Sequence, residues 1–315
     1  MAACHTITAL WSEGAIKGEL CGVGSKEIRW SLVHVDNLAD SHFDTMVKVL
    51  VFGATGFIGF SVAQALARSG HETFGLYRKV EKSKELARNE SNEPVKYTKI
   101  ILDAVFKIGK KRLENNEPKL TFISITGIWV YGGNPYKIKY ESTPLNTNLE
   151  LVVWRPSIEQ IIIESKVING IVIRPGIVYG KSGSSTALWF EGATKGELCG
   201  IGSKDVRWSL VHVDDLADSF VRAVERADLI GGQIFNIVNN QSESLGDMLD
   251  AIARITEYKG EVKYKSPTSE FEKAMANTGI FSNKKAQSIL GWNQRQLGFV
   301  DGINTWWNSY KAYTQ

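Results

Sequence analysis

A chain of 315 residues is long enough for two ordinary domains, or for one large α/β unit with an appended lobe. Apolar residues make up 43% and charged residues 23%, with a net charge of only +3, which excludes a disordered tail, a collagen-like chain and a disulfide scaffold. Interspersed charge of that size gives no broad basic face for nucleic acid. The three cysteines form no CxxC and the five histidines no HExxH, so no metal site is expected. The N-terminus lacks a basic region followed by a long apolar run, and no stretch of about 18 apolar residues is available to span a bilayer. The expectation is a reduced, cytoplasmic protein with a small-molecule substrate and neither nucleic-acid nor membrane partners.

Self-similarity is the oddest feature. Residues 9–41 read ALWSEGAIKGELCGVGSKEIRWSLVHVDNLADS, and residues 187–219 read ALWFEGATKGELCGIGSKDVRWSLVHVDDLADS. Six of the 33 positions differ, and the match stops abruptly at both ends. One distant pair is not a solenoid array, whose units are short and stacked many times. Residues 1–45 therefore read as a partial duplicate of 187–219, a fusion remnant dispensable for the fold. Met46 reads as the true beginning of a domain.

From Val47 to Phe52 the chain is β-branched and apolar, the pattern of a strand buried on both faces. It runs into Gly53, Gly56 and Gly59, and then into a helical stretch carrying Val62, Ala63, Leu66 and Ala67. In such a turn the first glycine permits the sharp bend and the second lets backbone N–H groups approach a pyrophosphate. The third lets helix and strand pack closely. The helix N-terminus then faces the phosphates with its partial positive charge. A second strand, Thr73 to Tyr77, ends at Arg78 and Lys79. An acid there would accept from a ribose 2′-hydroxyl, whereas a base suits a 2′-phosphate, so NADP is preferred over NAD.

Next, Val80 to Arg88 is polar and helical, residues 89–94 form a loop, and Tyr97 to Leu113 carries Ile100, Ile101, Ala104, Val105 and Ile108 at helical spacing. Two helices in succession break the alternation of a doubly wound sheet. Lys119 to Thr126 and Gly170 to Arg174 read as further strands. Trp189, Trp208, Trp292, Trp306 and Trp307 could stack on a ligand ring, but tryptophans at this density more often fill a core.

These motifs together resemble the extended and atypical short-chain dehydrogenase/reductases of the NAD-dependent epimerase/dehydratase family. Gly53-Ala-Thr-Gly-Phe-Ile-Gly59 is similar to the family fingerprint, Arg174 to Gly180 to its RPxxxYG segment, and His212 to Ala217 to its HVxDxA segment. The resemblance covers about residues 46 to 310. It implies a Rossmann-type doubly wound parallel α/β sheet over 46–180 and a smaller C-terminal substrate lobe over 181–315. It assigns the cofactor to Gly53, Thr55, Gly56, Phe57, Ile58, Gly59 and Arg78, with Pro175 and Gly176 on the nicotinamide half.

Two departures stand against that frame. The family places a strand–helix–strand unit between the second strand and the 97–113 helix, so the resemblance implies that about 40 residues and a central strand are missing. An open slot would leave strand one unpaired on one side; the run Arg29 to Val35 is one segment that could fill it. The other departure is chemical. Family members carry a Tyr and a Lys four residues later, and the matching positions here hold Trp154 and Ile158, neither of which exchanges protons. Gly127 stands where a Ser or Thr is expected. Thr126 and Tyr131 are the remaining catalytic candidates. The reading is an NADP(H)-binding protein with oxidoreductase or epimerase chemistry. Its alternatives are a nucleotide-sensing regulator like the NmrA-like branch, or a non-functional fusion product.

Overall fold

The computed structural model describes residues 46–76, 93–181 and 183–314, with Leu32–Asp36, Glu93 and Pro94 described as backbone only. In chain order the strands are β1 (Leu32–Asp36), β2 (Lys48–Phe52), β3 (Glu72–Leu76), β4 (Leu120–Ile125), β5 (Asn134–Lys139), β6 (Ile168–Pro175) and β7 (Ile177–Tyr179). They continue as β8 (Cys199–Ile201), β9 (Arg207–His212), β10 (Gln233–Ile237), β11 (Ser242–Ser244), β12 (Lys263–Lys265) and β13 (Gly279–Phe281). The longer helices are α1 (Phe57–Arg68), α2 (Glu93–Glu114), α3 (Arg155–Ile163), α4 (Ser185–Thr194), α5 (Val213–Glu225), α6 (Leu245–Ile255) and α7 (Ile303–Thr314).

Six strands form the main sheet in the order β10-β6-β4-β1-β2-β3. Pairs β2–β3, β4–β6 and β6–β10 are parallel. Parallel strands covered by helices read as continuous apolar runs, and all six residues of β4 are buried. Helix α1 packs against α5 on one face, burying Val62 and Leu66 with Leu216 and Phe220. Helix α2 covers the other face, with Leu102 and Val105 against Phe122 and Val172.

One strand runs the other way. β1 lies between β2 and β4 and pairs antiparallel with both, Leu32 opposite Phe52 and Ser124, Val35 opposite Val49 and Thr121. Among the described residues no strand stands between β3 and β4, as the helix pattern implied. The sheet nevertheless has no gap, because the N-terminal copy supplies the central strand. Of the N-terminal copy, Leu32–Asp36 thus stands within the sheet rather than apart from it. An empty slot would leave facing rows of N–H and C=O groups on β2 and β4 without partners, and any five residues able to extend relieve that cost. Helix α2 starts at Glu93, four residues before the expected Tyr97.

The second lobe is built on a sheet ordered β11-β9-β13-β5, with β7 paired to β9, and on the pair β8–β12. Its tryptophans are core. Trp189 stacks on Trp208 with centroids 5.1 Å apart, and Trp306 lies edge-on to Tyr179 at 5.4 Å. Trp292, in the core of the main sheet, is fully buried with its indole N–H on the Asp215 carbonyl at 2.8 Å.

Candidate functional site

All parallel strands of the main sheet end at one edge, so the turns after β2, β4 and β6 line a common crevice, where α/β sheets bind ligands. The turn after β2 is the glycine-rich one. Gly53 takes φ +72°, a conformation that glycine adopts without strain, and its carbonyl accepts from Gly56 N–H at 2.8 Å. Gly56 is the N-cap of α1 and offers no side-chain acceptor, so the helix opens on backbone N–H groups alone. Gly59 is buried, and Thr55 and Phe60 are exposed. β3 contributes a residue that sequence reading passed over. A Cβ on Gly75 would stand 2.8 Å from the Ala54 Cβ, so only glycine lets the turn sit this close to β3. This cradle fits a pyrophosphate. Arg78 and Lys79 lie outside the described residues.

The turns after β4 and β6 meet. A Cβ on Gly127 would lie 3.9 Å from the Pro175 carbonyl and 3.6 Å from the Arg155 guanidinium. Gly176 donates to Ile237 O at 2.9 Å and presses so close to the Ser209 carbonyl that a side chain would overlap it. Arg155 in turn donates to the Thr126 carbonyl at 2.7 Å.

Behind this edge lies a buried polar network. Arg174 donates to Glu159 through Nε at 3.2 Å and Nη2 at 2.5 Å, with both side chains almost fully buried. The Thr126 hydroxyl donates to the same carboxylate at 2.5 Å. Arg174 Nη1 donates to the Tyr131 hydroxyl at 2.6 Å, and that hydroxyl donates to Asn236 Oδ1 at 2.9 Å. Burial pushes the Tyr131 phenol above its ordinary value, against the pull of Arg174. A phenol so held stays protonated at neutral pH and is committed in both directions. The structure thus places Thr126 and Tyr131 together, on one buried ion pair, as anchors of the turn after β4. Sequence reading missed Glu159. Its signal is Arg174 itself, a charge ending an apolar strand, which demands a buried partner.

Trp154 is the N-cap of α3 with its indole N–H on Leu151 O at 3.2 Å, and Ile158 one turn later packs into the core beside Ile162 and Leu120. The HVxDxA segment is structural as well. Asp215 accepts from the backbone N–H groups of Arg295 at 3.1 Å and Gln296 at 2.9 Å, tying α5 to the C-terminal segment. A small hollow of about 20 Å³, room for about one water, is lined by Trp129, Ile177, Arg207, Ser209, Asn277 and Thr278, among others. Arg207 is oriented there by bonds to the Ser242 hydroxyl at 3.1 Å and carbonyl at 2.5 Å. Among the described residues no group of three or more His, Cys, Asp or Glu could hold a metal ion, and no helix is long and apolar enough to cross a membrane.

A parallel sheet, a glycine turn at its crevice and a second lobe over that edge define a Rossmann-type α/β protein. Residues 49–108 match the NAD dependent epimerase/dehydratase family, so the resemblance read from the motifs holds. A curated relative, the chloroplastic epimerase family protein SDR39U1 homolog of Arabidopsis thaliana, is 23% identical over 304 positions covering 83% of this chain and 85% of its own. Among solved structures, the UDP-glucose 4-epimerase of Thermotoga maritima with UDP-glucose is similar at a TM-score of 0.67 and 20% identity, covering 84% of this chain and 99% of that one. Human epimerase family protein SDR39U1 with NADPH is similar at 0.63 and 17%, covering 83% and 99%. At these identities the structures share the fold.

Proposed function

We propose that the chain binds a nicotinamide dinucleotide at the 53–59 turn, takes NADP(H) in preference to NAD(H), and acts on or senses a small molecule. The observation that carries this reading is the open N-terminus of α1 behind Gly53 at the C-terminal edge of a parallel sheet. Backbone N–H groups of the first turn of α1 would hold the pyrophosphate, while Gly127, Pro175 and Gly176 leave room for the nicotinamide half. Arg78 would take the 2′-phosphate by paired charge-assisted hydrogen bonds. The NADPH in the human SDR39U1 structure supports that choice. A bound nicotinamide supplies or accepts hydride.

The chain's own residues offer little proton transfer. On the motif reading Trp154 and Ile158 stand where an acid and its activating amine would, and Tyr131 is held protonated. General acid–base assistance is typically worth about 10²–10⁴-fold, so hydride exchange should be slow. That arrangement favours a second reading, a nucleotide-sensing protein that binds without turnover. Fluorescence titration with NADPH and NADH tests both. NADPH should bind about tenfold to a hundredfold more tightly, Arg78→Asp should reverse the order, and Gly56→Val should abolish binding. Equal affinities would remove the role of Arg78. Rapid NADPH oxidation with a carbonyl substrate would overturn the sensing reading.

A further inference from the structure

The segment after β7 is pinned against the glycine turn. Gly180, Lys181 and Ser184 have φ of +103°, +53° and +76°, and two of these are not glycine. Left-handed backbone at Lys181 and Ser184 is costly and persists only where surrounding contacts enforce it. Three contacts do so. Gly180 lies flat against the His212 ring and Gly183 against the Phe57 ring, each too close to admit a Cβ. Between them, Lys181 Nζ donates to Ser61 Oγ at 2.9 Å and pairs with Asp214 Oδ1 at 2.7 Å.

Ser61 continues the path. Its hydroxyl is fully buried and donates to the Phe57 carbonyl at 3.4 Å, inside the first turn of α1. A relay thus runs from Lys181 through Ser61 to Phe57, a residue of the pyrophosphate cradle. The placement is electrically unusual. A cation near the opening turn of a helix opposes the helix dipole, and this ammonium faces the first turns of both α1 and α5, with Asp214 as its only ion-pair partner among the described residues. An anion bound at the mouth of α1 would complete the balance. Ser184 then caps the strap at the start of α4, whose Trp189 stacks in the second lobe.

We propose that Lys181 is a positioning residue of the dinucleotide site, locking the first turn of α1 in its pyrophosphate-binding form through Ser61 and tying it to the second lobe through the strap. This rests on the cofactor reading above. The probe pair is NADPH, which has a pyrophosphate, and adenosine 2′-monophosphate, which has none. Lys181→Met should weaken NADPH about tenfold and leave adenosine 2′-monophosphate unchanged, Lys181→Arg should recover most of the loss, and Ser61→Ala should reproduce part of it. In the double variant the losses should be less than additive, because both residues act in one chain of contacts. Unchanged NADPH affinity in Lys181→Met, or equal loss for the two probes, overturns the proposal. Absence of NADPH binding by the wild type would instead sink the cofactor reading itself.

Discussion

The pentapeptide Leu-Val-His-Val-Asp occurs at Leu32–Asp36 and again at Leu210–Asp214, and its two copies end differently. In the first copy all five residues are strand, laddered to β2 as far as Asp36 opposite Lys48 and to β4 as far as Val35 opposite Thr121. In the second, the strand stops at His212 because its parallel partner β7 stops at Tyr179. His212 then caps a helix, its Nδ1 accepting from Asp214 N–H at 3.2 Å, and Asp214 and Asp215 fill the first turn. The pentapeptide carries both instructions, β-branched alternation and a polar helix start. The available ladder partners decide which is followed.

The sharpest way to break this comparison is to make one change in each copy. Val35→Pro removes a ladder N–H from the centre of the sheet, whereas Val213→Pro falls at the first position of α5, where proline's fixed φ suits the helix. The first should unfold the chain or lower its thermal midpoint by ten degrees or more. The second should cost less than about 1.5 kcal/mol, mainly in repacking. Removing residues 1–45 should act like Val35→Pro. Equal melts for the full chain and one beginning at Met46 would place β1 outside the slot.

A smaller effect separates the histidines. Burial lowers His212 to about 4 from 6.5, with nearby Asp214 opposing and Lys181 adding to the shift, and His71 is shifted down by burial too. A histidine that resists protonation when folded contributes stability that is fully present above pH 6.5 and drains away as pH falls towards 4. For His212 this amounts to roughly 3 kcal/mol across that window. Denaturant melts of His212→Asn, which keeps a capping acceptor, should show a flattened slope. A slope lost instead in His34→Asn would assign it to the wrong copy.

The smallest effect concerns Asp214, over a third exposed and paired with Lys181. Asp214→Asn should cost about 0.5–1 kcal/mol, a shift of a few degrees in the melting midpoint. A loss above about 2 kcal/mol would mean that the pair is more deeply desolvated than its exposure indicates.

Much of the fold was legible because it is local. The β2–turn–α1 unit, β4, β6 and the core role of the tryptophans follow from periodicity, glycine placement and residue size. That no strand lies between β3 and β4 among the described residues was equally readable from the isoleucine spacing of α2. The occupant of the slot was not, since the same pentapeptide forms strand and then helix elsewhere in the chain, and no local propensity distinguishes them. The site divides in the same way. Its glycines announce themselves by spacing, whereas Glu159, Arg174, Tyr131 and Asn236 come together only when α3, β6, the turn after β4 and β10 are assembled. Lys181 and Ser61, 120 positions apart, give no signal in the sequence.

The reversed strand also changes how the chain can reach its native state. A parallel neighbour for β2 needs a crossover of a dozen residues or more, whereas an antiparallel one needs only a hairpin, and residues 37–47 provide the connection. Hairpins close in about 1–10 μs, so β1 and β2 can pair as soon as both have left the ribosome. Their other partner comes much later, because Leu32 must find Ser124. At about 5–20 residues per second, synthesis leaves the free edge of β1 uncovered for several seconds. In that interval an apolar edge strand is open to any other extended chain. The device that completes the finished sheet therefore makes the nascent chain dependent on protection until β4 arrives.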